Sequence, residues 1–529
     1  MYGLKNKQVK FKKWLTNIDS TTTVAIPKNG FDRVSLNFEN SYPEFNSMDN
    51  WKKVGKNILN KPIQFKLYKD INDPYYHQIY LQPNIKYNYY DGALLGLRIH
   101  NKPILSRNFQ FSITPQYGTK SNSLNGIFNT RYIQYFENSK INRIFYSISG
   151  SNLHYAEDLS YNTFNQSITV QFRRKSLRDV GGSFLSARLL NINRELAPNS
   201  SQSDSDKYQV FKLKYYYNKP DIIKGLKYSF ETELASNYTK ATGELRYRKL
   251  TAKNTQLDFR FYAGTFIKNN TDSDFFSFGL DRANDYLFEL NYIGRSESSG
   301  FLSQQFIMAE GGFKSSMSQR FANQHLISFN SSIGVWKWLE IYNGLAFVKN
   351  RGLNPFIGYE SGIRLNFIHN IFEFYLPVYS TNGWEINKNA YPKSIRFVLV
   401  AKTRAIFNFF RKTTNYACRA ISSNSNIVTN LKIDSEVFVL SALLLAIFTH
   451  LFEVLIMGGV MIWMGLTVWY LMFYPLIFIW LWFFTLGVSY VVAAISVYIN
   501  DFTNIWGIIT RVLWFATPIF YTAKLDLGI

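Results

Sequence analysis

Along most of the first four hundred residues, apolar and polar positions alternate with a period of two. That spacing puts one set of side chains on each face of a β-strand. The clearest run opens the stretch 255–313. There Leu257, Phe259, Phe261, Ala263 and Ile267 interleave with Asp258, Arg260, Tyr262 and Lys268. A polar loop over 268–274 and further strand-like segments at 276–280, 285–292 and 300–313 follow. Comparable runs fall at 109–117, 144–148, 208–217, 226–234, 243–250, 325–333, 336–348, 363–368, 372–379 and 395–401. Many are long enough to cross a bilayer at a tilt, which takes about 9–11 residues, whereas the average strand has about 5–6. The pattern predicts an antiparallel transmembrane β-barrel of roughly 16 strands. A secreted soluble β-protein with a hydrophobic tail is the alternative.

The rule breaks after residue 430. From Val454 to Asn500 there is no Asp, Glu, Lys or Arg, and about 20 apolar residues suffice for one helical crossing. The apolar segments 437–463, 467–498 and 505–521 predict a partial α-helical bundle. Within it His450, Glu453 and Arg511 are ionisable. Such groups in a membrane mark either a functional interior position or an interfacial one. Trp463, Trp469, Trp480, Trp482, Trp506 and Trp514 are expected in interfacial belts.

Composition sharpens this division. Phe, Tyr and Trp make up 18% of residues, and membrane barrels use aromatics in girdles at both interfaces. Residues 413–529 hold four basic and five acidic side chains, so the net charge of +23 belongs to the β-rich part. The cations are dispersed along alternating strands rather than clustered in a recognition motif, so no nucleic-acid partner is expected. The single Cys418 excludes an internal disulfide. The lysine-rich start lacks the apolar run of a secretory signal, so an outer-membrane protein would be expected to begin further upstream.

Catalytic patterns are missing. None of the six histidines belongs to an HExxH pair, and there is no Walker A loop and no G-x-S-x-G elbow. The carboxylates of Asp272 and Asp274 read as a charged loop tip. No enzyme activity, metal or cofactor is expected.

Two resemblances follow from longer stretches. The runs DNWKKV (49–54), YNYYDGALLGLRIHNK (87–102), LHYAEDLSY (153–161), AGTFIKNNTDSDFFSFGLDRANDYLFELNYIGRSE (263–297) and QQFIMAEGGFKS (304–315) are among those carrying the first. With YESGIRLNF (359–367) and FYLPVYSTNGWEI (374–386), they resemble the C-terminal outer-membrane barrel of bacterial gluzincin aminopeptidase-like metallopeptidases. In that family the zinc site lies in a separate upstream domain, so the resemblance implies an anchor without peptidase activity. The second covers about 422–529. The segment LGVSYVVAAISVYINDFTNIWGIITRVLWFATPIFYTA (486–523) resembles the membrane domain of ABC type-2 permeases that export polysaccharide. Gly487, Tyr498, Asp501, Pro518, Ile519, Phe520 and Tyr521 match its pattern, whereas Asn500 stands where the family has Arg. This implies a separate ATP-binding subunit and a second permease copy as partners, besides the lipid bilayer.

The expected organisation is a leader (1–60), a barrel (61–405), a junction (406–430) and a partial permease region (431–529). The halves conflict. A barrel belongs to the outer membrane, and helices this apolar would be retained in the inner one. The chain therefore reads as two truncated reading frames joined near 405–425. The alternative is that the barrel alone is the functional unit, attached to an aminopeptidase.

Overall fold

The computed structural model describes the chain apart from 45–49, 55–60, 199–205, 291–300, 424–435, 451–473, 517–529 and shorter runs. Four short strands come first, β1 (Tyr2–Lys5), β2 (Gln8–Lys12), β3 (Arg33–Ser35) and β4 (Trp51–Lys53), forming a small sheet of their own. All four lie in the segment expected to be a leader. Its ring contacts explain the extra order: Phe38 packs on Tyr2 and Trp51, and Phe11 stacks on Phe31.

The main sheet begins with β5 (Ile63–Lys66), which lies parallel to β6 (His77–Asn88). An antiparallel meander continues through β7 (Gly92–His100), β8 (Phe109–Gly118), β9 (Ser123–Tyr135), β10 (Ile141–Ala156) and β11 (Leu159–Phe172). Next come β12 (Gly182–Arg194), β13 (Lys207–Lys219), β14 (Lys224–Ala235), β15 (Tyr238–Leu250) and β16 (Gln256–Asn269). β17 (Phe278–Gly279) and β18 (Phe321–Ala322) form a separate two-stranded pair. β19 (His325–Gly334), β20 (Leu339–Lys349), β21 (Phe356–Ile368) and β22 (Phe372–Ser380) resume the meander, and the short β23 (Gly383–Trp384) and β24 (Arg396–Leu399) both pair with β22. The main sheet thus has 18 members among the described residues rather than roughly 16. Short β23 carries too little alternation to be counted from the chain.

The segments expected as strands at 285–292 and 300–313 are not strands in their described parts. β16 pairs directly with β19, Phe261 opposite Phe329, so the described residues of 270–324 form no strand of that ladder, and one isolated bridge joins Gln305 to Phe397 of β24. This insertion folds onto the inner face instead, through Phe278, Leu280, Phe313 and Met317 and through Phe276, Tyr286 and Leu287.

Beyond the sheet, α1 (Arg404–Ser423) occupies most of the expected junction. Ala417 of α1 packs with Val439 of α2 (Glu436–Phe448) and Ala493 of α3 (Tyr474–Tyr498). Small side chains permit the close approach that lets the Ser496 hydroxyl donate to the Cys418 carbonyl at 2.8 Å. The last helix, α4 (Phe502–Ala516), meets α1 where Asn415 donates to Thr510 at 3.3 Å. One described helical stretch, Phe478–Tyr498, is long and apolar enough to cross a membrane.

Candidate functional site: the inner face of the sheet

The strands are inverted relative to a water-soluble protein. On β16 and β19 the apolar row Phe261, Ile267, Ile327, Phe329 and Ile333 is exposed, and Arg260, Ser328, Asn330 and Ser332 are buried. β20 and β21 repeat this, with Ile341, Leu345 and Ile357 outside and Glu340, Glu360 and Arg364 inside. Burying ionised groups is tolerable only when they are paired and hydrogen-bonded.

Register supplies the pairing. Lys212 of β13, Glu233 of β14 and Lys240 of β15 stand directly opposite one another. Glu233 accepts from Lys212 Nζ at 3.2 Å and from the Tyr286 hydroxyl of the insertion at 2.6 Å. Lys240 Nζ lies 3.5 Å from it and 4.3 Å from the Tyr286 ring centre. Glu231 takes a second contact from Lys212 at 2.6 Å. Further along, Arg260 donates to Glu244 at 2.6 Å and to Asn330 at 3.0 Å. Arg364 bridges Glu340 at 3.0 Å and Glu373 at 2.8 Å.

The insertion is tied down by the same chemistry. Glu360 accepts the backbone N–H groups of Lys314 and Ser315 at 2.9 and 2.8 Å, and Lys314 Nζ lies 3.4 Å away. Glu310 receives the Gly279 N–H at 2.9 Å, and burial raises its carboxyl above the usual range. Burial likewise raises Asp281, which Arg320 contacts at 3.1 Å. Burial lowers Lys314, against the pull of Glu360. Gly279 is required at its position, because a Cβ there would stand 1.9 Å from the Arg282 carbonyl oxygen. Between insertion and sheet a cavity of about 330 Å³ remains, lined by Lys227, Arg246, Arg248, Asp258, Lys314 and Arg364 among others.

The strands β6–β10 differ. Their inward positions are Gln82, Arg98, Ser112, Asn125, Arg131, Arg143 and Ser147, and their cations bond to neutral groups. Arg98 Nε donates to Ser112 at 3.0 Å, and Arg131 Nε to Ser147 at 3.2 Å. Arg143 Nε donates to Gln171. At the far strand ends, Asp91 is fully buried and accepts from Asn88, Ser121, Asn125 and His154. The Ser121 hydroxyl bonds the carboxylate, so this hub fastens the hairpins around it.

The sites read from the chain lie elsewhere. Gly487 and Tyr498 belong to α3, where Tyr498 is 88% exposed. Asp501 sits just before α4, and its carbonyl accepts from Asn504 at 3.0 Å. Arg511 is within α4. Glu453 and the stretch Pro518, Ile519, Phe520 and Tyr521 lie outside the described residues. His450 stacks on Phe478 of α3 at 4.9 Å. No described group of His, Cys, Asp and Glu is arranged to hold a metal, and the tip at Asp272 lies outside the described residues. Sequence reasoning missed the ionic ladder. Its signal is opposite charge at inward positions of neighbouring strands, legible only once the register is known.

No protein-family model matches the chain, and no curated protein matches it. Among solved structures it is similar to CdiB from Acinetobacter baumannii, at 14% identity and a TM-score of 0.29. The similarity covers 56% of this chain and spans about half of that one, 54% of its length. At that level the likeness assigns neither family nor function.

Proposed function

We propose that residues 61–399 form a closed, non-catalytic β-barrel of the outer-membrane type, with the insertion 270–324 filling part of its interior. The carrying observation is the inversion of the strands: an apolar row exposed and an ionic row buried. Lipid is the surrounding that makes an exposed row of Phe, Ile and Leu favourable, and barrel closure satisfies the edge hydrogen bonds that lipid would not. The cyclic order of hydrogen-bonded neighbours in the main sheet supports closure.

The test uses the full chain. The expected product requires detergent for extraction and migrates faster on a gel unheated than boiled. A product that stays soluble without detergent and migrates identically in both states overturns the reading in favour of a soluble β-protein.

For the helical part we propose a fragment of a polysaccharide-export permease, dependent on an ATP-binding subunit and a second copy. The apolar stretch Phe478–Tyr498 supports a membrane location for it. Its joining to the barrel near 405–425 is read as a fusion of two frames, because the halves call for different membranes. Long-read sequencing of source DNA across codons 380–450 tests this. Reads broken at the junction are expected if the joining is an artefact of two separate frames, whereas one uninterrupted frame overturns the artefact and makes the fusion real.

A further inference from the structure

The described residues of the insertion cover part of the inner face. Its packed residues meet β12, β13, β15, β16 and β19–β22. Phe288 reaches as far as Tyr161 of β11 and Tyr155 near the end of β10. The remaining wall, β6–β10, carries Arg98 and Arg131, which contact serines. Among the described residues, no carboxylate lies within ion-pair distance of Arg98, Lys102, Arg107 or Arg131.

Placement gathers these groups at one end. Arg98 lies near the end of β7, Lys102 and Arg107 in the connection 101–108, and Arg131 near the end of β9. Lys61, only 7% exposed, precedes β5 at the same end. β8 separates the two arginines, and its inward residues there, Gln110 and Ser112, are neutral. The serine contacts engage each guanidinium through Nε, and the Arg131 guanidinium also lies 5.5 Å from the Phe145 ring centre. The guanidinium fork is the part of arginine that matches a tetrahedral oxyanion bidentately. Mutual repulsion is substantial. Burial, then Arg131 and Arg98, lower the Lys102 ammonium below its ordinary range. Burial, then Arg107 and Arg33, bring Lys61 down to about 8.

A half-buried group of like charges is costly unless a counter-charge joins it. We propose that the β7–β9 wall, through Arg98, Lys102, Arg107 and Arg131, is a binding site for a phosphate-bearing anion. Two or more phosphate charges suit it better than a single carboxylate, because guanidinium groups stand on the alternate strands β7 and β9 with Lys102 and Arg107 beside them. The phosphate comes either from a soluble oligophosphate or from a lipid headgroup entering at the strand ends. The site rests on the barrel reading only in that the wall must border a water-filled interior.

The experiment uses the full chain in a neutral detergent, titrated calorimetrically with inorganic tripolyphosphate, and in nanodiscs of phosphatidylcholine with or without phosphatidylglycerol. Binding is expected to weaken at least about tenfold in the Arg98→Gln/Arg131→Gln double variant and to fall with added salt. Lys12→Gln, altering a lysine paired with Glu39 on the separate small sheet, should leave it unchanged. Tripolyphosphate binding that is unaltered by phosphatidylglycerol assigns a soluble anion, and competition between the two assigns the headgroup. The proposal is overturned if the parent binds neither probe, or if the double variant binds as tightly as the parent. Should the double variant lose heat-modifiable migration, Lys102→Gln, outside the strands, must weaken binding in the same direction. Heat-modifiable migration of the parent is scored separately, so failure of the barrel reading and failure of the anion site are distinguishable.

Discussion

The covered wall of the sheet, β12–β22, and its open wall, β6–β10, carry charge in opposite ways. On the covered wall buried cations meet carboxylates, either of a neighbouring strand, as Lys212, Glu233 and Lys240 do, or of the insertion, as Arg188 meets Glu289. On the open wall the same inward positions hold Arg98 and Arg131 with serine, asparagine and glutamine. Two unit charges about 4 Å apart interact by about 4 kcal/mol at the effective dielectric of a partly buried site. Where the insertion excludes water, that energy must be attractive for the fold to persist. Where the interior stays open, water and mobile ions screen the repulsion, so unpaired cations are tolerated. The difference teaches that the described residues of the insertion lie on the wall whose buried cations meet carboxylates.

The comparison is broken most directly at Glu233. Replacing it by Ala leaves Lys212 and Lys240 sharing a buried site with one acceptor fewer. The expected loss is about 3–5 kcal/mol of stability, read from denaturant unfolding in detergent micelles. A loss below about 1 kcal/mol would mean that water reaches this wall and that the two walls are alike. Next in size is Glu360→Gln, which keeps one acceptor for the Lys314 and Ser315 amides but removes the charge opposite Lys314. It should cost about 1–3 kcal/mol and expose 270–324 to protease before the strands unfold. Simultaneous loss of strands and insertion would show that the insertion is not a separate unit.

The pH dependence tests the open wall. Lys61 and Lys69 are both lowered to about 8, chiefly by burial. Lys61 faces Arg107, Arg33, Asp73 and His77, and Lys69 faces Arg98, Lys102 and His100. Their folded values lie below the unfolded value near 10.5, so between the two the unfolded chain binds more protons. Stability attributable to these lysines therefore rises as pH goes from about 8 to about 10.5. The Lys61→Met/Lys69→Met variant should flatten that rise in the thermal midpoint, whereas an unchanged slope would place its origin elsewhere. The smallest effect is expected for Arg98→Gln, within about 0.5 kcal/mol of the parent, because the charge removed has no carboxylate to lose. A large destabilisation would reveal a structural partner on the open wall.

Much of the sheet was legible in the chain because alternation is local. Phe259, Phe261 and Ala263 share a face by geometry alone, whatever they pack against. The segment at 285–292 misled for the same reason. Tyr286 and Leu287 look like strand residues, but their burial comes from lying on the sheet rather than in it. The junction misled in the other direction, since Ala417, Cys418 and Ala420 give a helix its contact face without a strong apolar signal.

The sequence by itself determined an alternating β-rich part, an apolar helical part and the concentration of positive charge in the former. These follow from residue spacing and composition, which need no knowledge of partners. Only the tertiary structure decided which row of each strand faces inward, which carboxylate meets which lysine, and which wall the insertion covers. Those outcomes depend on register and on contacts between residues far apart in the chain, such as Tyr286 and Glu233. A one-residue slip would have reversed every inward position.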